Sequence, residues 1–298
     1  MRTKRSTRLV FLLTVLSGVT ALQGAGAQET ASAAPAEPSV ADLIERIRAK
    51  EKATTAVSVK MRTRSALPDG AQFETSGTLR VLGATHFHVA SKMRMGEGME
   101  GEHEVVHTPE GTWMRDLDPI QGEVFTVMTP ELIARVEAAA KVLGDDAMPG
   151  AIPGQNEGPL GSALLVSLDR RFDLRVDKKV VKDGIDHWVL RGEVRQGQAA
   201  EADGLPDPDS VEVVVSERPL SVVRMAQFDA GKEILVIEID DVQIDPPFAA
   251  ASFKLDSRGK RFVDAMDYPP MAAQIGAMLD KAKWAQAEGA KPPVERGK

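Results

Sequence analysis

Apolar and polar residues alternate along much of the chain. Between Val57 and Arg64 the apolar residues Val57, Val59 and Met61 alternate with polar ones, which is typical of a strand with one buried face. The same rhythm runs through the stretch from Glu74 to Met128, where glycine, proline and aspartate divide it into short segments. This pattern predicts an antiparallel meander.

A second group of such segments follows between residues 172 and 255. All of them are rich in β-branched or aromatic residues and are bounded by turn residues such as Asp183-Gly184. About a dozen segments at near-regular spacing predict a mainly β (α+β) fold built on one large antiparallel sheet or barrel. The predicted strands are Val57–Arg64, Glu74–Leu82, Thr85–Ser91, His103–His107, Thr112–Arg115, Gly122–Met128, Phe172–Val176, Ile185–Val194, Val211–Ser216, Leu220–Phe228, Glu233–Val242 and Phe253–Leu255.

Helical spacing of apolar residues marks four other segments. The first, Ser39–Lys50, begins with a serine that can cap it and an aspartate three residues later. Pro130–Leu143 begins with proline at the first helical position, and Leu160–Leu168 is almost wholly apolar. The last helix follows Tyr268 and frays at Gly289, and we expect it to pack against the sheet. Its apolar residues are Met271, Ile275, Met278, Leu279 and Ala282.

The amino-terminal end predicts export. Four basic residues precede an apolar run from Leu9 to Leu22, and a small-residue cleavage pattern ends at Ala27. We therefore expect a signal peptide (1–27), an Ala/Pro-rich disordered leader (28–38), a β domain (39–268) and a C-terminal amphipathic helix with a frayed tail (269–298). Removing four basic and no acidic residues takes the net charge from −7 to −11. That charge argues against nucleic acid and anionic membrane surfaces as partners.

The chain has no cysteine, so no lipid can be attached at a lipobox cysteine and no disulfide can form. We therefore expect a periplasmic or otherwise secreted protein that is soluble after cleavage. Its hydrophobic core alone must stabilise the fold.

The letters His103-Glu104-Val105-Val106-His107 match the zinc-peptidase pattern. That site needs a helix, which brings side chains four apart within ~5–6 Å of each other. On a strand the two histidines would stand about 13 Å apart. Nearby glycines and β-branched residues favour the strand, so we expect a chance match, with zinc peptidase kept as a minor alternative.

Other chemistry has weaker support in the sequence. His86 and His88 would lie on one face of a strand, ~6.6 Å apart, where a metal could bridge them, but two polar residues on an outer face are the simpler interpretation. The sequence contains no G-x-S-x-G, Walker A or G-x-G-x-x-G motif. We expect a protein that is not an enzyme and that has no cofactor and no metal.

An apolar interior remains as the candidate site. The strand patterns place a set of apolar side chains on surfaces that could line a ligand cavity, although from these residues alone ordinary packing is the favoured interpretation. The candidate cavity residues are Val57, Val59, Met61, Leu79, Val81, Phe87, Val89, Trp113 and Phe125.

Several short motifs resemble the LolA-like periplasmic lipoprotein carriers. Ser76-Gly-Thr-Leu-Arg-Val81 is similar to the family's G-x-L-x-V strand, and His86-Phe87 to the strand that follows it. The hairpin Val105–Met114, with Asp118-Pro119 after it, is similar to the next element. Val236–Phe253 resembles the closing strand and terminal F-x-F/L element, so the likeness covers about residues 40–258.

The resemblance implies an incomplete antiparallel barrel whose mouth is plugged or covered by helices. It implies a hydrophobic cavity that shields acyl chains, and hence a role in lipid or lipoprotein transport and outer-membrane biogenesis. The implied partner is a lipid or an acylated lipoprotein, with an envelope protein as a further partner, and we expect a monomer. The alternative is an envelope sensor or scaffold whose barrel is filled by its own side chains.

Overall fold

Twelve strands form one sheet in the part of the chain that the computed structural model describes, namely residues 37–66, 72–96, 99–118, 122–143, 158–195 and 208–289. The predicted signal peptide and most of the predicted leader lie outside these ranges. The strands are β1 (Ala56–Ala66), β2 (Gln72–Leu82), β3 (His86–Met95), β4 (Met99–Thr108), β5 (Gly111–Asp118), β6 (Gly122–Met128), β7 (Arg175–Lys182), β8 (Ile185–Glu193), β9 (Ser210–Glu217), β10 (Leu220–Asp229), β11 (Lys232–Ile244) and β12 (Val263–Asp264).

Two meanders build the sheet. Strands β1 to β6 pair in sequence order, as do β7 to β11, and every one of these pairs is antiparallel. Antiparallel pairing of β1 with β11 joins the two meanders. The sheet stays open, with β7 at one edge and β12 at the other. The predicted mainly β, incompletely closed fold is confirmed.

Four helices accompany the sheet among the described residues. They are α1 (Val40–Ala53), α2 (Pro130–Leu143), α3 (Ser162–Arg171) and α4 (Pro269–Gly289). Ser39 and Asp42 form the predicted capping box: the Asp42 amide donates to Ser39 Oγ (3.1 Å), and the Ser39 amide donates to Asp42 Oδ2 (2.9 Å). At the start of α2 the Thr129 hydroxyl accepts from the Leu132 amide at 3.3 Å. The helix predictions are confirmed to within a few residues at their ends.

The helices pack on one face of the sheet, which we call the front face. A single apolar cluster joins residues of all four helices to strand residues that share this face, including Val59, Leu79, Val89 and Val105. The pair α1–α3 lies towards β10, and the pair α2–α4 lies towards β5. The middle of the front face, formed by β11, β1, β2 and β3, lies between the two helix pairs.

Residues 246–262, which we call the strap, cross the opposite or back face of the first meander. The Arg80 guanidinium lies 5.6 Å from the ring of Phe248, and Phe262 packs edge-to-face on Phe125 at 5.6 Å. Between these points, Arg258 Nη1 lies 3.5 Å from Glu123 Oε1. The strap then leads into β12, which pairs in parallel with β6 and covers that edge of the sheet.

The predicted strand Phe253–Leu255 is wrong. A short 3₁₀ turn, Ala250–Ser252, stands before it, and the three residues pair with no strand among the described residues. Phe253 instead packs its ring against His86, with centroids 5.5 Å apart, and is 3 % exposed. Its apolar character therefore reflects packing across the back of the sheet and not a place in a ladder.

Candidate functional site

A strip of half-buried apolar side chains crosses the middle of the front face. Its members extend over four neighbouring strands and contact the edge of the buried core without being enclosed by it. The members form separate pairs: Met61 stands opposite Ile239, and Val81 stands opposite Phe87. Val81 lies four residues along β2 from Gly77, which is the β2 partner of Met61. We call this set the apolar strip: Met61, Val81, Phe87, Leu235 and Ile239.

Seven of the nine predicted cavity residues lie on the front face. Four of them are core residues that are at most 5 % exposed, and the other three belong to the apolar strip. The four core residues are Val57, Val59, Leu79 and Val89. The three strip residues are Met61, Val81 and Phe87.

Trp113 and Phe125 do not share that face. Trp113 stands opposite Val106 and Val127, and Phe125 stands opposite Arg115, all of which have back-face parity. Phe125 is 3 % exposed because Phe262 of the strap covers it. These two residues therefore lie on the opposite face of the sheet from the other seven.

His107 belongs to the lining of the front face. Its ring stacks on Phe87, with centroids 4.9 Å apart and planes 9° apart. Its Nδ1 lies 2.8 Å from Thr112 Oγ1. Burial lowers the pKa of His107, so the neutral ring is favoured and acts as an aromatic surface next to the apolar strip.

The zinc interpretation fails on geometry. His103 and His107 both lie on β4, four residues apart, which corresponds to about 13 Å along a strand. His103 Nδ1 hydrogen-bonds Asp116 Oδ1, whereas His107 is bonded to a threonine. Within the described ranges, no three His, Cys, Asp or Glu side chains are grouped so that they could hold a metal ion.

His86 and His88 also have separate partners. His86 packs on Phe253, whereas His88 Nε2 lies 2.9 Å from Glu104 Oε1 and its Nδ1 contacts Arg80. Burial, which outweighs the Glu104 hydrogen bond, lowers the pKa of His88. The two rings are fixed by the back-face packing, and the structure does not bring them together as a metal-bridging pair.

An ion network surrounds His88 on the back face. Arg115, which is 6 % exposed, donates from Nε to Glu123 (2.7 Å) and from Nη2 to Glu102 (2.9 Å). A groove of about 630 Å³ runs over this region, with Lys92 and Lys60 among its lining. Both lysines are paired with acidic side chains, so the groove presents mixed and largely compensated charge.

Residues that the sequence reasoning missed complete the front face. Leu235 and Ile239 belong to the strip, although β11 was predicted only as a strand. Their alternation within Glu233–Val242 was a usable signal, but their place beside β1 depends on pairing between residues about 180 positions apart.

Comparison with known proteins finds likenesses in structure alone. No family model and no curated protein matches the chain. An uncharacterized conserved protein from Thermus thermophilus is 13 % identical, with a TM-score of 0.41, covering 75 % of this chain and 98 % of its own. The Mycobacterium tuberculosis lipoprotein LppX is 12 % identical, with a TM-score of 0.37, covering 70 % of this chain and 97 % of its own.

A LolA superfamily protein from Nitrosomonas europaea is also similar. It is 9 % identical, with a TM-score of 0.26, and the match covers 74 % of this chain and 99 % of that protein. A structure named as a LolA superfamily protein is thus among those similar to this chain. At these identities and TM-scores the likeness carries no conclusion about function.

One further property concerns membranes. Over the described residues, none of the helices combines the length and the apolar character that a membrane-spanning helix requires.

Proposed function

We propose that this is an exported, non-enzymatic protein that binds a lipid or acylated ligand against the front face of its open sheet. The observation that supports the proposal is the apolar strip. Adjacent strands present half-buried aliphatic and aromatic side chains on the front face. Met61 and Ile239 pair at one level, and Val81 and Phe87 pair about 13 Å farther along the strands. Partly exposed apolar side chains on one face of a sheet offer surface that an apolar partner can cover.

The physical driving force is burial of an acyl chain. Each Å² of apolar surface removed from water contributes ~25 cal/mol, so even a short length of chain along the strip gains several kcal/mol. Met61 suits this role because an unbranched thioether adapts to partners of irregular shape. The stacked Phe87–His107 pair adds a flat apolar surface beside it.

A fluorescent fatty acid, cis-parinaric acid, tests the proposal by titration of the mature protein. Met61→Glu and Ile239→Glu place a charge on the strip, and we expect each to weaken binding at least about tenfold, or ~1.4 kcal/mol. The control is Val181→Glu on β7, a residue that is 68 % exposed at the far edge of the sheet. No saturable binding by the wild-type protein, or equal weakening by all three variants, contradicts the proposal.

The second candidate is an envelope sensor or scaffold that binds a protein. One observation favours it: under α1 and α3 the front face is already filled, with Leu43, Ile47 and Leu165 at 0 % exposure. Native mass spectrometry of protein purified from an envelope fraction separates the two candidates. Bound lipid supports the first, whereas a lipid-free protein mass with a stoichiometric protein partner supports the second.

A further inference from the structure

His103 is a buried histidine in which one ring nitrogen is hydrogen-bonded and the other has no hydrogen-bond partner among the described residues. Its side chain is 6 % exposed, and Nδ1 hydrogen-bonds the Asp116 carboxylate on β5. Nε2 is fully buried and has no hydrogen-bond partner among the described residues. Buried polar atoms are normally paired, so an unpaired one in a region that faces a proposed ligand requires an explanation.

The Asp116 bond determines what Nε2 can do. An ionised carboxylate only accepts hydrogen bonds, so the proton of a neutral ring lies on Nδ1 and the lone pair lies on Nε2. Nε2 then accepts a hydrogen bond from an O–H or N–H group. A plain hydrocarbon chain offers no such donor.

A row of small residues connects His103 to the apolar strip. Across the sheet, Met61 stands opposite Gly77, Gly77 opposite Ser91, and Ser91 opposite His103. These residues share front-face parity, and the three strand spacings of ~4.8 Å place His103 about 14 Å from Met61. Because glycine and serine fill little space above the backbone, we call this row the trough.

The sides of the trough differ in chemistry. Leu79 and Val89 form one side and are buried, apolar core residues. Thr75 and Met93 form the other side and are half-buried. At the far end of the trough the Asp116 side chain is 33 % exposed, so the His103–Asp116 pair lies next to solvent. The Nε2 atom of His103 is nevertheless buried.

We propose that His103, held by Asp116, is a polar recognition residue for an acyl ligand that carries a hydrogen-bond donor. The donor is a hydroxyl or amide N–H near the head of the chain, and it bonds to Nε2. The hydrocarbon runs along the trough to the apolar strip. This inference rests on the proposed lipid-binding function and specifies its ligand class.

A matched pair of ligands tests it: tetradecanoic acid and 3-hydroxytetradecanoic acid, each competed against cis-parinaric acid on the mature protein. We expect the wild-type protein to prefer the hydroxylated acid about tenfold. His103→Leu should abolish the preference while still binding tetradecanoic acid. Asp116→Asn should reduce it, because an asparagine amide can donate to Nδ1 and so shift the ring proton to Nε2.

His187→Leu on β8 provides the control, since it removes a half-buried histidine of the second meander and should leave the preference intact. A readout that a structural role would not affect is the ¹⁵N resonance of His103 Nε2, which should shift with the hydroxylated acid only. Equal binding of both acids by the wild-type protein, or a preference that persists in His103→Leu, overturns the inference. Failure of both acids to bind overturns the proposed function itself.

Discussion

Gly77 allows strands β2 and β3 to approach closely at the centre of the trough. A Cβ built there would lie 2.5 Å from the carbonyl oxygen of Ala90 and 3.0 Å from Ser91 Cα. Both are backbone atoms, so the neighbouring strand would have to move. The position therefore affects both the packing of the sheet and the space that a ligand would use.

Gly77→Ala should lower the free energy of unfolding by roughly 1–3 kcal/mol, the range for overpacking in a core. Urea denaturation followed by circular dichroism measures it. The matched control is Gly276→Ala in α4, where a new Cβ meets nothing within 4 Å and helix propensity favours alanine by up to ~1 kcal/mol. A Gly77→Ala protein as stable as wild type contradicts the close approach.

For single residues, the alternation of apolar and polar positions predicted the correct face of the sheet in some strands and not in others. Alternation in β1 and β2 identifies the front face correctly because their other face carries charged residues such as Lys60 and Arg62. Around Trp113 and Phe125 both faces are covered, one by helices and one by the strap, so apolar residues occur at both parities. Where both faces are buried, alternation loses its meaning.

At the scale of elements, ion pairs bind the carboxyl-terminal part of the strap to strand β6. Glu123 on β6 is bonded by Arg115 from the sheet and by Lys260 and Arg258 from the strap. The hydrogen bonds and charges of Lys260 and Arg115, with the Lys260 hydrogen bond contributing most, lower the pKa of the Glu123 carboxyl to about 2. Its contribution to stability is therefore present above its ordinary value of 4.5 and is lost as the pH falls towards 2.

Glu123→Gln should thus reduce the urea midpoint at pH 7 and have progressively less effect as the pH falls from 4.5 towards 2. Urea titrations at pH 7, 4 and 2.5 measure this difference. The control Glu74→Gln alters an exposed carboxylate on β2, away from the strap. A midpoint difference for Glu123→Gln that does not shrink with acid contradicts an ionised, strap-bound Glu123.

Elements with local signals were predictable, and elements defined by distant partners were not. The first helix was predicted from its capping box. The turn between β7 and β8 was predicted from Asp183-Gly184, and both of these turn residues have a positive φ. The strap and β12 escaped prediction because their partners lie more than 130 residues away, as between Lys260 and Glu123. The exposed half of β7 escaped because a strand without a buried face shows no alternation.

At the scale of the whole molecule, the two edges of the open sheet differ in how they are protected from pairing with another chain. The strap and β12 cover the edge at β6, whereas β7 leaves one side unpaired among the described strands. That strand carries Lys178, Lys179 and Lys182 beside the exposed Val180 and Val181. Lysine on an edge strand discourages pairing with another chain.

Replacing Lys178 and Lys182 with threonine should therefore promote concentration-dependent self-association. Analytical ultracentrifugation over a hundredfold range of concentration detects it. The control replaces Lys232 and Lys283, which lie at the start of β11 and on α4, and so makes the same change of charge away from the edge. Monomers throughout for both proteins would show that these lysines do not protect the edge.

Part of the candidate site could be predicted from the sequence and part could not. The buried front-face residues and Met61, Val81 and Phe87 followed from alternation. The role of His103 did not, because His103-Glu-Val-Val-His107 drew attention to a metal and not to a single hydrogen bond across to β5. Only the register of β3, β4 and β5 brings Ser91, His103 and Asp116 into one row.

The junction of β1 with β11 has a consequence for the order of events in folding. β1 lies in the middle of the sheet, between β2 and β11. β11 comes far later in the chain than β1: Arg62 on β1 bonds Asp240 on β11, 178 residues later. Each meander can form from local contacts, but closing this junction carries the entropy cost of a very long loop. If the first meander forms before the second, β1 stays unpaired on one side until β11 is in place. We therefore expect the pairing of β1 with β11 to be the slowest step of folding.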